Sequence, residues 1–294
     1  MERKYYEETK PYKDSITILR NFEEEILDGS LENFRNFYFD DLKEAKYIGD
    51  INDPDMYLIT QAIYIILWGD LYDLSFEKIG RWSVKNTYPF RGDTMNSFGS
   101  LFGKEDKGND FAFRAKFYNA DQNPDLWGKI QKFYHSYHRL GNFIVIPDRG
   151  TNESINSARG RYTGGGMRDY FDWFLIAISE YQNKVNSGNI DLNSFELQLK
   201  TNPEYNPEFL PIEKWKERFF LEPYFEGDKP KLLFKTTLEE RRKITTPDVI
   251  DSKKYYTADE YLELLEDYLD KAEEVIEYRT NKIIEALAKL ISQK

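Results

Sequence analysis

From Tyr256 to Ile291 the apolar residues Tyr261, Leu264, Leu265, Tyr268, Leu269, Ala272, Val275, Ile276, Ile283, Ile284, Leu287, Leu290 and Ile291 recur at steps of three and four. That spacing stacks them along one face of an α-helix. Thr257-Ala-Asp-Glu260 opens the stretch as a capping box, in which each side chain satisfies the other's free backbone amide. At 1.5 Å per residue such a helix is on the order of 50 Å long, more than one small domain covers. The pattern therefore predicts that part of the face, at Tyr268, Val275, Ile276, Ile283, Leu287 and Ile291, meets another subunit or a protein partner.

A chain of 294 residues can bury a real core without cross-links. It has no cysteine, which removes disulfides, thiolate metal sites and cysteine nucleophiles together. The opening Met1-Glu-Arg-Lys-Tyr-Tyr-Glu-Glu has no apolar run, so a cytoplasmic location is expected. The most apolar stretch, Met56 to Trp68, falls short of the roughly 20 residues that span a bilayer and reads as a buried helix. With 41 basic against 52 acidic residues the net charge is −11, which disfavours direct nucleic-acid binding through phosphate neutralisation. An acidic surface suits basic surfaces on protein partners instead. The 22 tyrosines and 21 phenylalanines serve both core and interface, tyrosine being rigid and amphipathic.

Helical spacing predicts a helix over Asp14 to Leu27 stopped by Gly29, and a short one after Ser30 as its cap. Asp53-Pro54 reads as the start of a central core helix over Met56 to Trp68 ending at Gly69. Residues 70–123 break into short, glycine-punctuated segments. A helix over Pro124 to Arg139 precedes the extended run Asn142-Phe-Ile-Val-Ile-Pro147, and a helix over Met167 to Val185 follows the hinge-like Gly164-Gly-Gly166. Leu232-Leu-Phe234 is expected to pair with Arg218-Phe-Phe-Leu221 as a small hairpin. The fold class is mainly α with minor β (α+β): an irregular helical domain with a long C-terminal amphipathic helix. Residues 1–50 form an N-terminal helical segment and 51–294 the main domain, including the helix over 256–291.

The two histidines, His135 and His138, lie one helical turn apart, but a zinc site needs a third ligand that no spacing supplies, and no metal or cofactor is expected. Serine-hydrolase, phosphate-loop and dinucleotide-binding signatures are missing, so no residue is assigned a catalytic role.

Two segments carry a family likeness: Tyr88-Pro-Phe-Arg91-Gly-Asp93-Thr-Met-Asn96-Ser-Phe98, and Tyr137-His138-Arg-Leu-Gly141-Asn142-Phe-Ile-Val-Ile-Pro147 with Asn156-Ser-Ala-Arg159-Gly160 beyond it. Together they resemble an uncharacterised family of bacterial and phage proteins with Gly-Asp-Thr-x-Asn-Ser-Phe and Tyr-His-x-x-Gly-Asn-Phe elements. The likeness extends to Tyr278-Arg279. In length, acidity and aromatic content the chain is also similar to phage anti-defence proteins of the anti-Gabija type, which act by binding. His138 with Leu140-Gly-Asn142 resembles the tail of a His-Asn-His nuclease domain, although the general-base histidine of that site has no counterpart here.

The polar members Arg91, Asp93, Asn96, His138, Asn142, Asn156 and Arg159 sit among apolar residues and fit two readings, the first favoured. They build a buried hydrogen-bond network that fixes loops, or a pocket for a small ligand. The leading functional expectation is a non-enzymatic protein-binding module that self-associates and blocks a partner complex, such as a bacterial defence nuclease complex. The alternatives are a small-ligand or nucleotide-processing enzyme using Arg91–Asn96 and His138–Arg159, and a degenerate His-Asn-His-like nucleic-acid binder.

Overall fold

A computed structural model describes residues 2–50, 53–80, 88–96, 119–149, 171–189, 191–234 and 258–292. It is mainly helical, with two small antiparallel sheets. After the single turn α1 (Arg3–Tyr6), helix α2 (Lys10–Glu25) takes Pro11 in its first turn, where the missing amide costs nothing. Its Tyr12, Ile16, Leu19 and Phe22 share one buried face, and that face lies on α4. Ser30 precedes a 3-10 turn over Leu31–Asn36 without lending it a side-chain bond, so it is not the cap that its residue type suggests. Beyond it come a second 3-10 turn, Phe39–Asp41, and the short helix α3 (Ala45–Ile48).

Helix α4 (Leu58–Tyr72) is buried almost all round, as an apolar helix in mid-core must be. Asp53-Pro54 opens a separate 3-10 turn over Pro54–Met56 instead of starting this helix. Nor does Gly69 end it. A Cβ at Gly69 would strike the Tyr6 ring, so the glycine admits that ring, and the helix runs on to Asp73 in the left-handed conformation. Asp70, near the end of α4, accepts from Arg3 Nη1 at 3.1 Å and Arg218 Nη2 at 2.8 Å, tying the N-terminal segment to a distant helix.

Strands β1 (Phe90–Thr94) and β2 (Phe143–Pro147) pair antiparallel with Phe90 opposite Pro147 and Thr94 opposite Phe143. All five β2 residues are buried, which is why that run reads as continuously apolar. Helix α5 (Pro124–Ser136) is capped by the Asn123 side chain. Helix α6 (Phe171–Asn186) is followed by α7 (Ser194–Lys200), where Asn193 and Glu196 form a reciprocal capping box, and by α8 (Ile212–Arg218). The expected hairpin between Arg218–Leu221 and Leu232–Phe234 does not form. Instead β3 (Phe225–Glu226) pairs with β4 (Lys229–Pro230) around Gly227, at φ +60°. The Leu233 and Phe234 amides donate to Asp172 Oδ2 at 2.8 and 3.3 Å.

The last helix, α9, spans Ala258–Ser292. The capping box expected at Thr257 lies outside the described residues, as does the Gly164–Gly166 hinge. Tyr268, Val275, Ile276, Ile283 and Leu287 are buried within this one chain, and Ile291 is half-buried. This corrects the expectation of an interface along that face. Elements from distant parts of the sequence cover it: the 3-10 turns at Leu31–Asn36 and Leu140–Asn142, helix α5 and helix α4. Residues from the N-terminal 50 and from the rest of the chain thus belong to one hydrophobic core. Among the described residues no helix is long and apolar enough to cross a membrane.

Candidate functional site

The β1–β2 ladder brings the two motif segments side by side, and where it ends Asn96 and Asn142 meet. Asn142 Oδ1 accepts from the Asn96 amide at 2.9 Å and from Asn96 Nδ2 at 3.2 Å. Asn142 Nδ2 donates to the Asn96 carbonyl at 2.7 Å and the Tyr137 carbonyl at 2.6 Å. Its backbone carbonyl receives the Met95 amide at 2.9 Å. The hydrogen-bonding capacity of this buried amide is therefore spent inside the fold. Tyr224 adds a bond from its hydroxyl to Asn96 Oδ1 at 3.1 Å.

Behind the pair, the turn Leu140–Asn142 presses against α9. The Gly141 amide donates to Thr280 Oγ1 at 3.0 Å, and a Cβ at Gly141 would land on the Ile276 carbonyl oxygen. Arg279 is fully buried and donates to three backbone carbonyls, those of Phe219, Gly141 and Phe143. Burial pushes its pKa down to about 10, so the guanidinium is charged at neutral pH. It stitches α9 to β2 and to the end of α8.

The remaining members of the predicted polar set lie elsewhere. Arg91 pairs with buried Asp148 at 3.2 Å near the other end of the ladder, roughly 15 Å along the strand from Asn96. Asp93 is buried opposite Ile144. Asn156 and Arg159 lie outside the described residues. Among the described members of the set, Asn96 and Asn142 bond to each other, and theirs is a network that fixes loop geometry. Gly141 and Arg279 stood in the family-like segments but outside the polar set, and Tyr224 and Thr280 were not singled out from the sequence. The signal was present in the last helix, where Arg279 and Thr280 interrupt the apolar stripe between Ile276 and Ile283.

His138 is bonded instead to Asp40, which lines a surface cleft. Its Nδ1 lies 2.8 and 2.9 Å from the two carboxylate oxygens of Asp40. The backbone supports this pair, since the Phe39 amide donates to the His138 carbonyl at 3.2 Å. So does the core, where the Phe39 and Phe143 rings meet edge-on at 5.1 Å. Tyr38, Asp40 and Asp41 from the 3-10 turn and Tyr134, His135 and Tyr137 from the end of α5 enclose about 550 Å³. Tyr134 stands 47% exposed on one wall, with its ring centroid 6.4 Å from that of Tyr137. Burial, and then the negative charge of Asp40, raises the Tyr137 hydroxyl well above the usual tyrosine range, so it is neutral. Helical spacing had singled out the two histidines as neighbours, but nothing in the sequence pointed to Asp40, which is 98 positions from His138. Among the described residues no group of three or more His, Asp or Glu side chains is placed to hold a metal ion.

Compared with known proteins, the chain matches no family model, no curated protein and no solved structure.

Proposed function

We propose that the chain is a non-enzymatic protein-binding module that engages and blocks a partner complex, in the manner of a phage-encoded inhibitor of a bacterial defence system of the anti-Gabija type. One observation carries the binding reading: the open cleft at Tyr38, Asp40, Asp41, Tyr134, His135 and Tyr137, which combines carboxylates and tyrosines on rigid elements. Tyrosine offers a large contact area at low entropic cost, and carboxylates select basic partners. A chain of net charge −11 adds a field that steers such partners inward. The partner class comes from the resemblance to anti-Gabija proteins.

The Asn96–Asn142 pair supports the same reading over an enzymatic one, because its donors and acceptors face each other. The apolar face of α9 takes no part in the proposal, being covered by the chain's own elements. The test is to mix the full-length chain with a purified Gabija-type nuclease complex and follow elution and DNA cleavage. Co-elution with loss of cleavage is the expected result. Separate elution with cleavage intact overturns the assignment of that partner.

A further inference from the structure

We propose that the Asp41–Tyr134 cleft is a receptor for an arginine side chain presented by the partner protein, an inference that rests on the binding-module reading above. The two carboxylates that line the cleft are not equivalent. Asp40 is engaged by His138, with both carboxylate oxygens within 2.9 Å of the ring nitrogen. Among the described residues, Asp41 has no cationic partner and is exposed. Asp53 and Asp55 lie close enough for their charge to act on Tyr137, so the negative field extends beyond the cleft wall. Lys43 lies on this side as well, its ammonium donating to the Asp40 carbonyl oxygen at 3.3 Å.

The walls decide which cation fits. Tyr134 and Tyr137 both line the cleft, their planes 35° apart; the Tyr137 ring packs on His138 at 3.8 Å, and Tyr134, 47% exposed, is the ring that an incoming cation reaches. A guanidinium is planar and weakly hydrated, so it stacks on tyrosine faces while its fork reaches a carboxylate; an ammonium is a hydrated point charge that gains less from those rings. An enclosed volume of about 550 Å³ admits an arginine side chain with part of its backbone.

Of the chain's two histidines, His135 lines the cleft and His138 is bonded to Asp40, which lines it, so the imidazole proton resonances report on it, His135 directly and His138 through Asp40. The full-length chain is titrated with acetyl-Gly-Arg-Gly-amide, and in parallel with the same peptide carrying citrulline, which keeps the shape and removes the charge. The arginine peptide should shift both resonances saturably, with citrulline weaker by about tenfold or more. Asp41→Asn and Tyr134→Ala should each weaken the arginine peptide about fivefold or more at an unchanged melting temperature. Equal binding of citrulline, undiminished binding by both variants, or still resonances at about 10 mM peptide would overturn the proposal. The two readings fail separately. If the partner complex is captured equally well by wild type and Asp41→Asn, the module stands and the arginine receptor falls. If the imidazoles respond but no complex is captured, the receptor stands and the partner assignment falls.

Discussion

Asn96 and Asn142 hold each other reciprocally: Asn142 accepts twice from Asn96 through Oδ1 and returns a bond from Nδ2 to the Asn96 carbonyl at 2.7 Å. Replacing either residue leaves buried donors and acceptors on the other with nothing to meet. Asn142→Ala should therefore cost about 2–4 kcal/mol in denaturant unfolding. His138→Ala removes the pair with Asp40 and the packing of a ring that is 12% exposed on Tyr137, and should cost about 1 kcal/mol. Equal losses for the two variants would contradict this division between network and cleft.

Gly141 is fixed by contact and not by backbone angle. A methyl there would meet the Ile276 carbonyl oxygen and the Thr280 amide, which belong to the backbone of α9 and cannot rotate away. Gly141→Ala should cost more than about 2 kcal/mol. Gly188, at φ +70° with open space around it, is the comparison. Gly188→Ala should cost about 1 kcal/mol, all of it conformational. Melting curves of the two variants side by side would check the ranking.

Leu287 and Ile291 separate an interface from a core. Leu287 is 0% exposed within the single chain, so Leu287→Ala should cost about 2–5 kcal/mol and Leu287→Glu should abolish cooperative folding. Half-buried Ile291 should tolerate Ile291→Glu with a much smaller loss. Light scattering together with circular dichroism gives the decisive readout. A folded but smaller species for Leu287→Glu would return that face to an intermolecular role.

Alkaline pH should unfold the chain. Tyr64 and Tyr72 are buried, and desolvation raises both hydroxyls well above 10.0, with Tyr6 and Tyr137 raised as well. Above pH 10 the unfolded chain releases protons that the folded chain keeps, so the stability these groups contribute is complete below pH 10 and drains away as pH climbs beyond it. Arg279 acts in the opposite sense, since burial lowers its pKa to about 10 from 12.5, but it is one group against several. Phenolate absorbance should therefore rise in step with loss of helical signal. Gradual tyrosine ionisation in a chain that stays helical would count against this account.

The long final helix, the central apolar helix and the β2 run were legible because each is a local periodicity or a continuous apolar stretch. The polar set was legible as a set, yet its division was not. Asn96 and Asn142 differ from Arg91 and His138 only in what faces them across the fold. The interface expectation for α9 failed for a related reason. Helix length alone says how much apolar face must be covered, whereas the cover came from Leu31–Asn36 and Leu140–Asn142, remote in sequence. Gly69 read as a stop because the ring it admits, Tyr6, lies far up the chain.

The Asn96–Asn142 clasp also bears on the order in which the molecule assembles. Its partners are 46 positions apart, so no local event brings them together, and closing so long a loop sacrifices chain entropy before any bond repays it. Helices such as α2 and α4 form from near neighbours, while β1 and β2 must wait for a collapsed chain to hold their ends in reach. Mutations in the clasp should then accelerate unfolding while leaving the refolding rate almost untouched, a signature of contacts made after the rate-limiting step. The clasp is thus a late contact, and the Gly141–Thr280 bond behind it, across 139 positions, closes a longer loop still.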